Sequence, residues 1–144
     1  MKKDLSKFLN FKPYKVKKGE DYMCSSQIDH FKKILLEWKN LLMKEADKTV
    51  EHMKKDSTKL SDPNDAATQE EEFRLELRTR DRERKLLRKI QVSLLKIDEG
   101  TFGYCEETGE EIGLKRLEAR PVATYTLEAQ ERREITEKQF KDTR

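Results

Sequence analysis

The sequence predicts a mainly α-helical protein that consists of a long antiparallel coiled-coil hairpin, a small globular lobe and a C-terminal helix. Charged residues make up 42% of the 144 residues and hydrophobic residues only 34%, which leaves little apolar surface for a large core. Glycine and proline are scarce, at five and three residues. Leucine, isoleucine and phenylalanine nevertheless recur at helical spacing. An elongated helical protein with a thin apolar core fits all of these observations.

Two amphipathic segments, at about 26–60 and 65–99, predict the two arms of the hairpin. In the first segment, apolar residues follow in steps of three and four, the spacing of a coiled-coil seam: Ile28, Phe31, Leu35, Trp38 and Leu42. The second segment carries its own stripe: Phe73, Leu77, Leu87, Ile90, Leu94 and Ile97. If the chain folds back near residues 62 and 63, the two stripes face each other. Trp38 then pairs with Leu87 and, nearer the turn, Val50 pairs with Leu75.

The chemistry of residues 61–67 supports a tight turn at the tip of the hairpin. Pro63 disfavours the helical conformation for Asp62, so we expect the first helix to end by that residue. Asp65 is a suitable N-cap for the second helix. Three glutamates at 70–72 follow in its early turns, where negative charge interacts favourably with the helix dipole.

The remaining segments predict the lobe and the C-terminal helix. Residues 1–25 and the glycine-punctuated residues 100–125, which include a short helical piece at 114–119, are expected to pack together at the open end of the hairpin, which spans 26–99. Residues 126–144 predict a helix that Thr126 caps, with Leu127 and Ile135 facing inward. Packing candidates in the lobe are Phe102, Tyr104, Ile112, Leu114, Leu117 and Tyr125.

Charge is unevenly distributed, although the net charge is only +3. Residues 62–72 contain five acidic residues and no basic one, whereas residues 74–89 contain eight basic and three acidic residues. An acidic tip therefore lies on a basic shaft. One interpretation is an ordinary solvated helix face with charge pairs four residues apart. The other is a surface for a partner of mixed charge, since an acidic tip would repel nucleic acid.

Several classes of protein are disfavoured by what the sequence lacks. No stretch approaches the length of an apolar membrane span, and the basic N-terminus has no apolar signal core, so we expect a cytoplasmic location and no membrane partner. Cys24 and Cys105 lie too far apart in sequence to suggest a disulfide framework. No nucleotide-binding glycine loop, HExxH motif or nucleophile triad is present, so we do not expect an enzyme.

Two long motifs resemble a known family. DPNDAATQEEEFRLELRTRDRERKLLRKI, followed by FGYCEETGEEIGLKRLEARP, closely resembles the DksA family of bacterial RNA polymerase-binding transcription factors, and the likeness extends over about 14–140. The resemblance implies a coiled-coil hairpin that enters the secondary channel of RNA polymerase. It also implies that the protein, with the alarmone ppGpp, modulates promoter open complexes in the stringent response, repressing ribosomal RNA promoters and activating some biosynthetic ones.

The resemblance also assigns roles to residues on the hairpin. Asp62, Asp65 and Ala67 match the tip motif that acts near the polymerase active site. Arg82 and Leu86 match the part of the shaft that contacts polymerase. A purely structural alternative, in which Asp65 only caps a helix, stays open.

The ppGpp site that the family shares with polymerase matches Lys89 and Arg120. Gln130 stands where well-known members carry lysine. This departure could weaken the contribution of ppGpp, or Arg132 or Arg133 could substitute for the missing cation.

The four-cysteine zinc knuckle of many family members is degenerate in this sequence. Cys105 is the remaining cysteine, and Thr108, Thr126 and Ala129 occupy the other three positions. A structural zinc ion needs four ligands, so we expect no zinc and no other bound cofactor apart from the effector ppGpp. We also expect a monomer without sequence-specific DNA binding.

Three other functions fit the sequence less well. A transcript-cleavage factor of the GreA type would send an acidic tip down the same channel, but the sequence details follow the DksA family. A plain coiled-coil scaffold or dimeriser would continue an apolar stripe along the outer face, which the charged shaft does not provide. A DNA-binding protein is disfavoured by the acidic tip and the near-neutral total charge.

Overall fold

The computed structural model describes residues 11–56 and 63–142. Four α-helices lie in these ranges: α1, Ser25–Asp56; α2, Pro63–Glu99; α3, Leu114–Ala119; and α4, Leu127–Asp142. The described residues contain no β-strand, and Tyr104 and Glu111 form an isolated antiparallel bridge. The mainly α-helical, coiled-coil fold class is therefore confirmed. No helix in these two ranges is long and apolar enough to cross a bilayer.

The described chain divides into two compact units, and the division falls within the long helices. The hairpin unit comprises residues 36–56 of α1 and 63–91 of α2. Trp38, Leu42 and Ile90 are its buried apolar side chains. Each of them belongs to a stripe that the sequence predicts, because the periodicity of three and four places them on one face of their helix.

The lobe unit comprises residues 11–35 and 92–142. Phe31 and Leu35 of α1 are fully buried in it, and the ring of Phe31 lies 5.8 Å from that of Phe102. Ile34 of α1 is buried as well, and the rest of the buried apolar core comes from the loops, α3 and α4: Cys105, Ile112, Leu117, Val122 and Ala129. The lobe packing that the sequence predicts is thus largely present, although Tyr104 is exposed.

Three apolar residues of α2 do not lie where the seam pattern places them. Phe73, Leu75 and Leu77 are 46%, 59% and 40% exposed, whereas Glu76, Arg80 and Glu83 are half-buried. The spacing of three and four continues from Leu87 and Ile90 back through these charged residues, so the seam becomes polar in this part of α2. The predicted pairing of Val50 with Leu75 is therefore wrong.

The C-terminal helix also differs from its prediction in one respect. Thr126 caps α4 as expected, since the Ala129 N–H donates to the Thr126 hydroxyl oxygen at 3.2 Å. Leu127 and Ile135, expected to face inward, are 52% and 57% exposed. Ala129, in the first turn, is the buried residue of α4.

Candidate functional site

The tip residues fall at the start of α2. Asp62 lies outside the described residues. The structure begins α2 at Pro63, a residue that is favoured at the first helical position because its missing N–H needs no partner there. Asp65 therefore lies inside the first turn, and its predicted role as N-cap is wrong. Ala67 is exposed on the same helix.

The shaft residues form an exposed basic face on α2. At about 100° per residue, Arg74, Arg78, Arg82, Lys85 and Lys89 lie within an arc of about 80° around the helix axis. All five are exposed. No acidic residue between Phe73 and Ile90 lies in that arc. Leu86 is half-buried at the edge of this basic face. The structure thus brings the two predicted polymerase-contact residues, Arg82 and Leu86, and the predicted ppGpp residue Lys89 onto one surface.

A carboxylate in the hairpin unit was not singled out from the sequence. The Oε2 atom of Glu83 is buried and has no hydrogen-bond partner within the described chain. Burial raises the pKa of Glu83, and the nearby carboxylate of Glu45 raises this pKa further. The sequence did contain a signal for its burial: the spacing of three and four residues from Ile90 and Leu87 places Glu83 at the next seam position of α2.

The predicted ppGpp residue Arg120 belongs to the lobe unit, where it is exposed immediately after α3. Gln130 of α4 donates its side-chain amide to Glu134 at 3.1 Å. The guanidinium of Arg133 lies 4.5 Å from the centre of the Tyr125 ring, a cation–π contact. Of the two arginines considered as substitutes for the missing lysine, Arg133 is thus engaged by this ring.

The four positions of the family zinc knuckle lie together in the lobe unit. Burial raises the pKa of the Cys105 thiol, but hydrogen bonds from the Thr108 hydroxyl and from the backbone N–H groups of Thr126, Thr108 and Glu107 outweigh it and lower the pKa to about 7. The Thr126 hydroxyl accepts the Ala129 N–H. One thiol, two hydroxyls and a methyl group do not form the tetrahedral set of thiolates and imidazoles that zinc requires. No group of three or more His, Cys, Asp or Glu side chains is placed to hold a metal ion in residues 11–56 and 63–142.

Direct hydrogen bonds fasten the loops of the lobe unit. The Tyr22 hydroxyl donates to the Gly103 carbonyl at 2.7 Å and accepts the Gly113 N–H at 2.9 Å. Gly103 has a φ of +90°, and a Cβ at this position would lie 2.8 Å from the sulfur of Met23. The residues before α1 are therefore held tightly against the loop that carries Cys105.

A second set of contacts joins the same N-terminal segment to α3. The carboxylate of Glu118 accepts the backbone N–H of Tyr14 at 2.9 Å and contacts the His30 ring at 2.8 Å. The Tyr14 hydroxyl donates to the carboxylate of Glu20 at 2.8 Å. These polar contacts, like the two made by Tyr22, need no metal ion.

Comparisons with known proteins agree with this architecture. Residues 27–97 match the family model described as DnaK suppressor protein DksA, N-terminal domain, and residues 100–134 match the prokaryotic dksA/traR C4-type zinc finger. The chain is 55% identical to a protein of Haemophilus influenzae over 128 residues, which cover 89% of this chain and 88% of the relative. That relative is named RNA polymerase-binding transcription factor DksA. The chain belongs to the DksA family.

Further relatives carry the same name as the Haemophilus protein. The DksA protein of Escherichia coli K12 is 52% identical, over 89% of this chain and 85% of its own length. The DksA protein of Caulobacter vibrioides is 47% identical, over 90% and 91%. The solved structure of transcription factor DksA2 from Pseudomonas aeruginosa matches with a TM-score of 0.75 and 36% identity, covering 92% of this chain and 98% of that one.

Proposed function

We propose that this protein regulates transcription in the cytoplasm by binding RNA polymerase through the secondary channel, without catalysing a reaction itself. The observation that carries the proposal is the exposed basic face of α2, on which Arg82, Leu86 and Lys89 lie together. Its DksA relatives are named for binding RNA polymerase.

In this proposal the tip acts by its charge. The helix begins at Pro63, so Asp65 lies inside the first turn and not at the N-cap position, and the proposal assigns its charge to a partner. Carboxylates delivered into the channel would interact with its basic or Mg²⁺-bearing interior and change the balance among polymerase states. The consequence would be weaker open complexes at ribosomal RNA promoters and stronger output from some biosynthetic ones.

We further propose that ppGpp acts as effector with a reduced contribution, and that the lobe folds without zinc. Lys89 and Arg120 are both exposed cations suited to phosphate oxygens. Gln130 is neutral and already bonded to Glu134, and Arg133 is stacked on Tyr125. The site would then retain Lys89 and Arg120, with the exposed Arg132 as the remaining substitute for the missing lysine. The donor set at Cys105 supports independence from zinc, since three of its four positions lack a zinc-binding group.

Transcription from a ribosomal RNA promoter with purified polymerase, with and without ppGpp, tests the proposal. Wild-type protein should repress, and Asp65→Asn should bind polymerase but fail to repress, because it loses only the charge. Glu70→Gln is the matched control, since Glu70 is an exposed acid of the same helix outside the tip motif, and it should repress like wild type. Equal repression by wild type and Asp65→Asn would show that the Asp65 charge is not the effector. Absence of both binding and repression by wild type would refute the proposed function.

A further inference from the structure

An exposed leucine borders the basic face of α2. Leu75 is 59% exposed, the highest value among the large apolar side chains described in the hairpin unit. The helical pattern placed it in the seam, and the structure places it outside. It therefore makes little contribution to the packing of the hairpin. A single exposed leucine is ordinary on a protein surface, so its position relative to the predicted polymerase contacts decides whether it has a use.

The position of Leu75 on the helix relates it to the charged residues. Leu75, Arg82 and Lys89 follow one another at intervals of seven residues, or about two helical turns, so they form one row along α2. Leu86 lies about 40° from this row, and both leucines border the five cations of the basic face. All of these residues belong to the hairpin unit.

The side chains one turn before and after Leu75 are polar: Glu71, Glu72, Arg78 and Thr79. The Thr79 hydroxyl donates to the Leu75 carbonyl at 3.0 Å, one turn back along α2. The surface around Leu75 therefore carries exposed charges of both signs and a threonine whose hydroxyl is already bonded to the backbone. Its complement is a protein surface with charged side chains of both signs around an apolar pocket, rather than a phosphate backbone, which the two glutamates would repel and for which the leucines would supply no partner.

We propose that Leu75 is an anchor of the polymerase interface, seated in an apolar pocket that charged side chains of both signs surround. This inference rests on the proposed function, and it names the residue that would supply apolar contact area within an otherwise charged contact. The basic face would steer the approach and set the orientation. Burial of Leu75 would then slow dissociation.

The test measures binding of purified RNA polymerase to the full-length protein and to two alanine variants. Leu75→Ala should weaken binding roughly 5- to 20-fold, the range expected when the exposed part of a leucine loses its burial in an interface. Leu77→Ala is the matched control: Leu77 is a 40% exposed leucine two residues away, about 160° around the same helix. It should bind within about twofold of wild type. Circular dichroism should give both variants the helix content of wild type.

The outcomes separate this inference from the proposed function. If wild type binds and the two variants bind equally, whether like wild type or both more weakly, the anchor role of Leu75 is overturned while the proposed function stands. If wild type does not bind polymerase, the proposed function fails and this inference fails with it. A shift of the free protein from dimer to monomer on Leu75→Ala, measured by sedimentation, would assign the surface to a second copy instead. Tight, salt-dependent binding of duplex DNA that Arg82→Gln weakens and Leu75→Ala leaves intact would assign it to nucleic acid.

Discussion

Replacement of Tyr22 by phenylalanine tests whether the lobe is fastened by hydrogen bonds. The variant keeps the ring, which packs edge-on to Tyr104 at 5.6 Å, and removes only the hydroxyl. That hydroxyl contacts Gly103 and Gly113. Burial raises the pKa of Tyr22 above its ordinary value, so the hydroxyl keeps its proton at neutral pH and can donate.

The expected loss of stability depends on the hydrogen bonds that Gly103 and Gly113 keep when the Tyr22 hydroxyl is removed. The Gly103 carbonyl still accepts the Ile112 N–H at 2.9 Å, so it loses one of two hydrogen bonds. The half-buried Gly113 N–H loses the acceptor that Tyr22 provides, and water can replace it only in part. One lost hydrogen bond together with one poorly satisfied donor should lower the free energy of unfolding of the lobe by about 1.5–3 kcal/mol.

Urea unfolding measures this free energy, and amide hydrogen exchange identifies the residues that lose protection. Tyr22→Phe should lower the urea midpoint, and the Gly113 amide should exchange faster than in wild type. Tyr104→Phe is the control, because it removes a hydroxyl from the exposed ring that faces Tyr22, and it should behave like wild type. A change below about 0.5 kcal/mol with unaltered exchange at Gly113 would refute the reasoning. Unfolding of the wild-type lobe by a zinc chelator would refute it as well, since a metal would then hold the loops.

Two further predictions concern titrating groups. Because the folded-state pKa of Glu83 is raised, this group's favourable contribution to stability is present below the unfolded pKa of about 4.3 and is lost as pH rises through the folded pKa. Glu83→Gln should therefore raise stability at pH 7 by a few tenths to about 1 kcal/mol, a gain that shrinks toward pH 4 in urea unfolding. The exposed control Glu99→Gln should show no such trend, and a loss of stability in Glu83→Gln at pH 7 would contradict the assignment. Because the folded pKa of Cys105 is depressed to about 7, its contribution is present above the unfolded thiol pKa of about 8.5 and is lost as pH falls through 7. In a Cys24→Ser background, the thiolate absorbance of Cys105 should titrate with a midpoint near pH 7, and Thr108→Val should raise that midpoint. Titration near pH 8.5 in both proteins would contradict the hydrogen bonds at the sulfur.

Much of the fold could be predicted because it follows from periodicity. Phe31, Leu35 and Ile90 are fully buried, as the stripes of three and four require. The short helix at 114–119 and the cap at Thr126 were also predicted, since both depend on neighbours in the sequence. Such local signals determine which face of a helix is apolar and where the helix starts.

The predictions were wrong where the apolar character of a residue did not determine whether it packs in the core. Leu127 and Ile135 were expected inside because they are large and apolar, yet α4 buries the small Ala129, which gives no amphipathic signal. The two bonds of the Tyr22 hydroxyl join residues 81 and 91 positions apart, and no local pattern encodes them. The tip prediction named Asp65 as N-cap because aspartate is a common cap, but the preference of proline for the first helical position moves the start of α2 to Pro63.

The error at Leu75 bears on function. A helix selected only for the stability of its own hairpin would place leucine in the seam and glutamate outside it. In α2 the order is reversed: Glu83 has a buried carboxylate oxygen with no hydrogen-bond partner among the described residues, whereas Leu75 is 59% exposed. Positions that break a local rule in this way are expected where function competes with stability. The proposed anchor role would account for the exposure of Leu75, because a leucine that a partner buries cannot also pack in the seam. The weaker hairpin that results would be stabilised when the partner covers Leu75, so binding and the order of this part of α2 should be coupled.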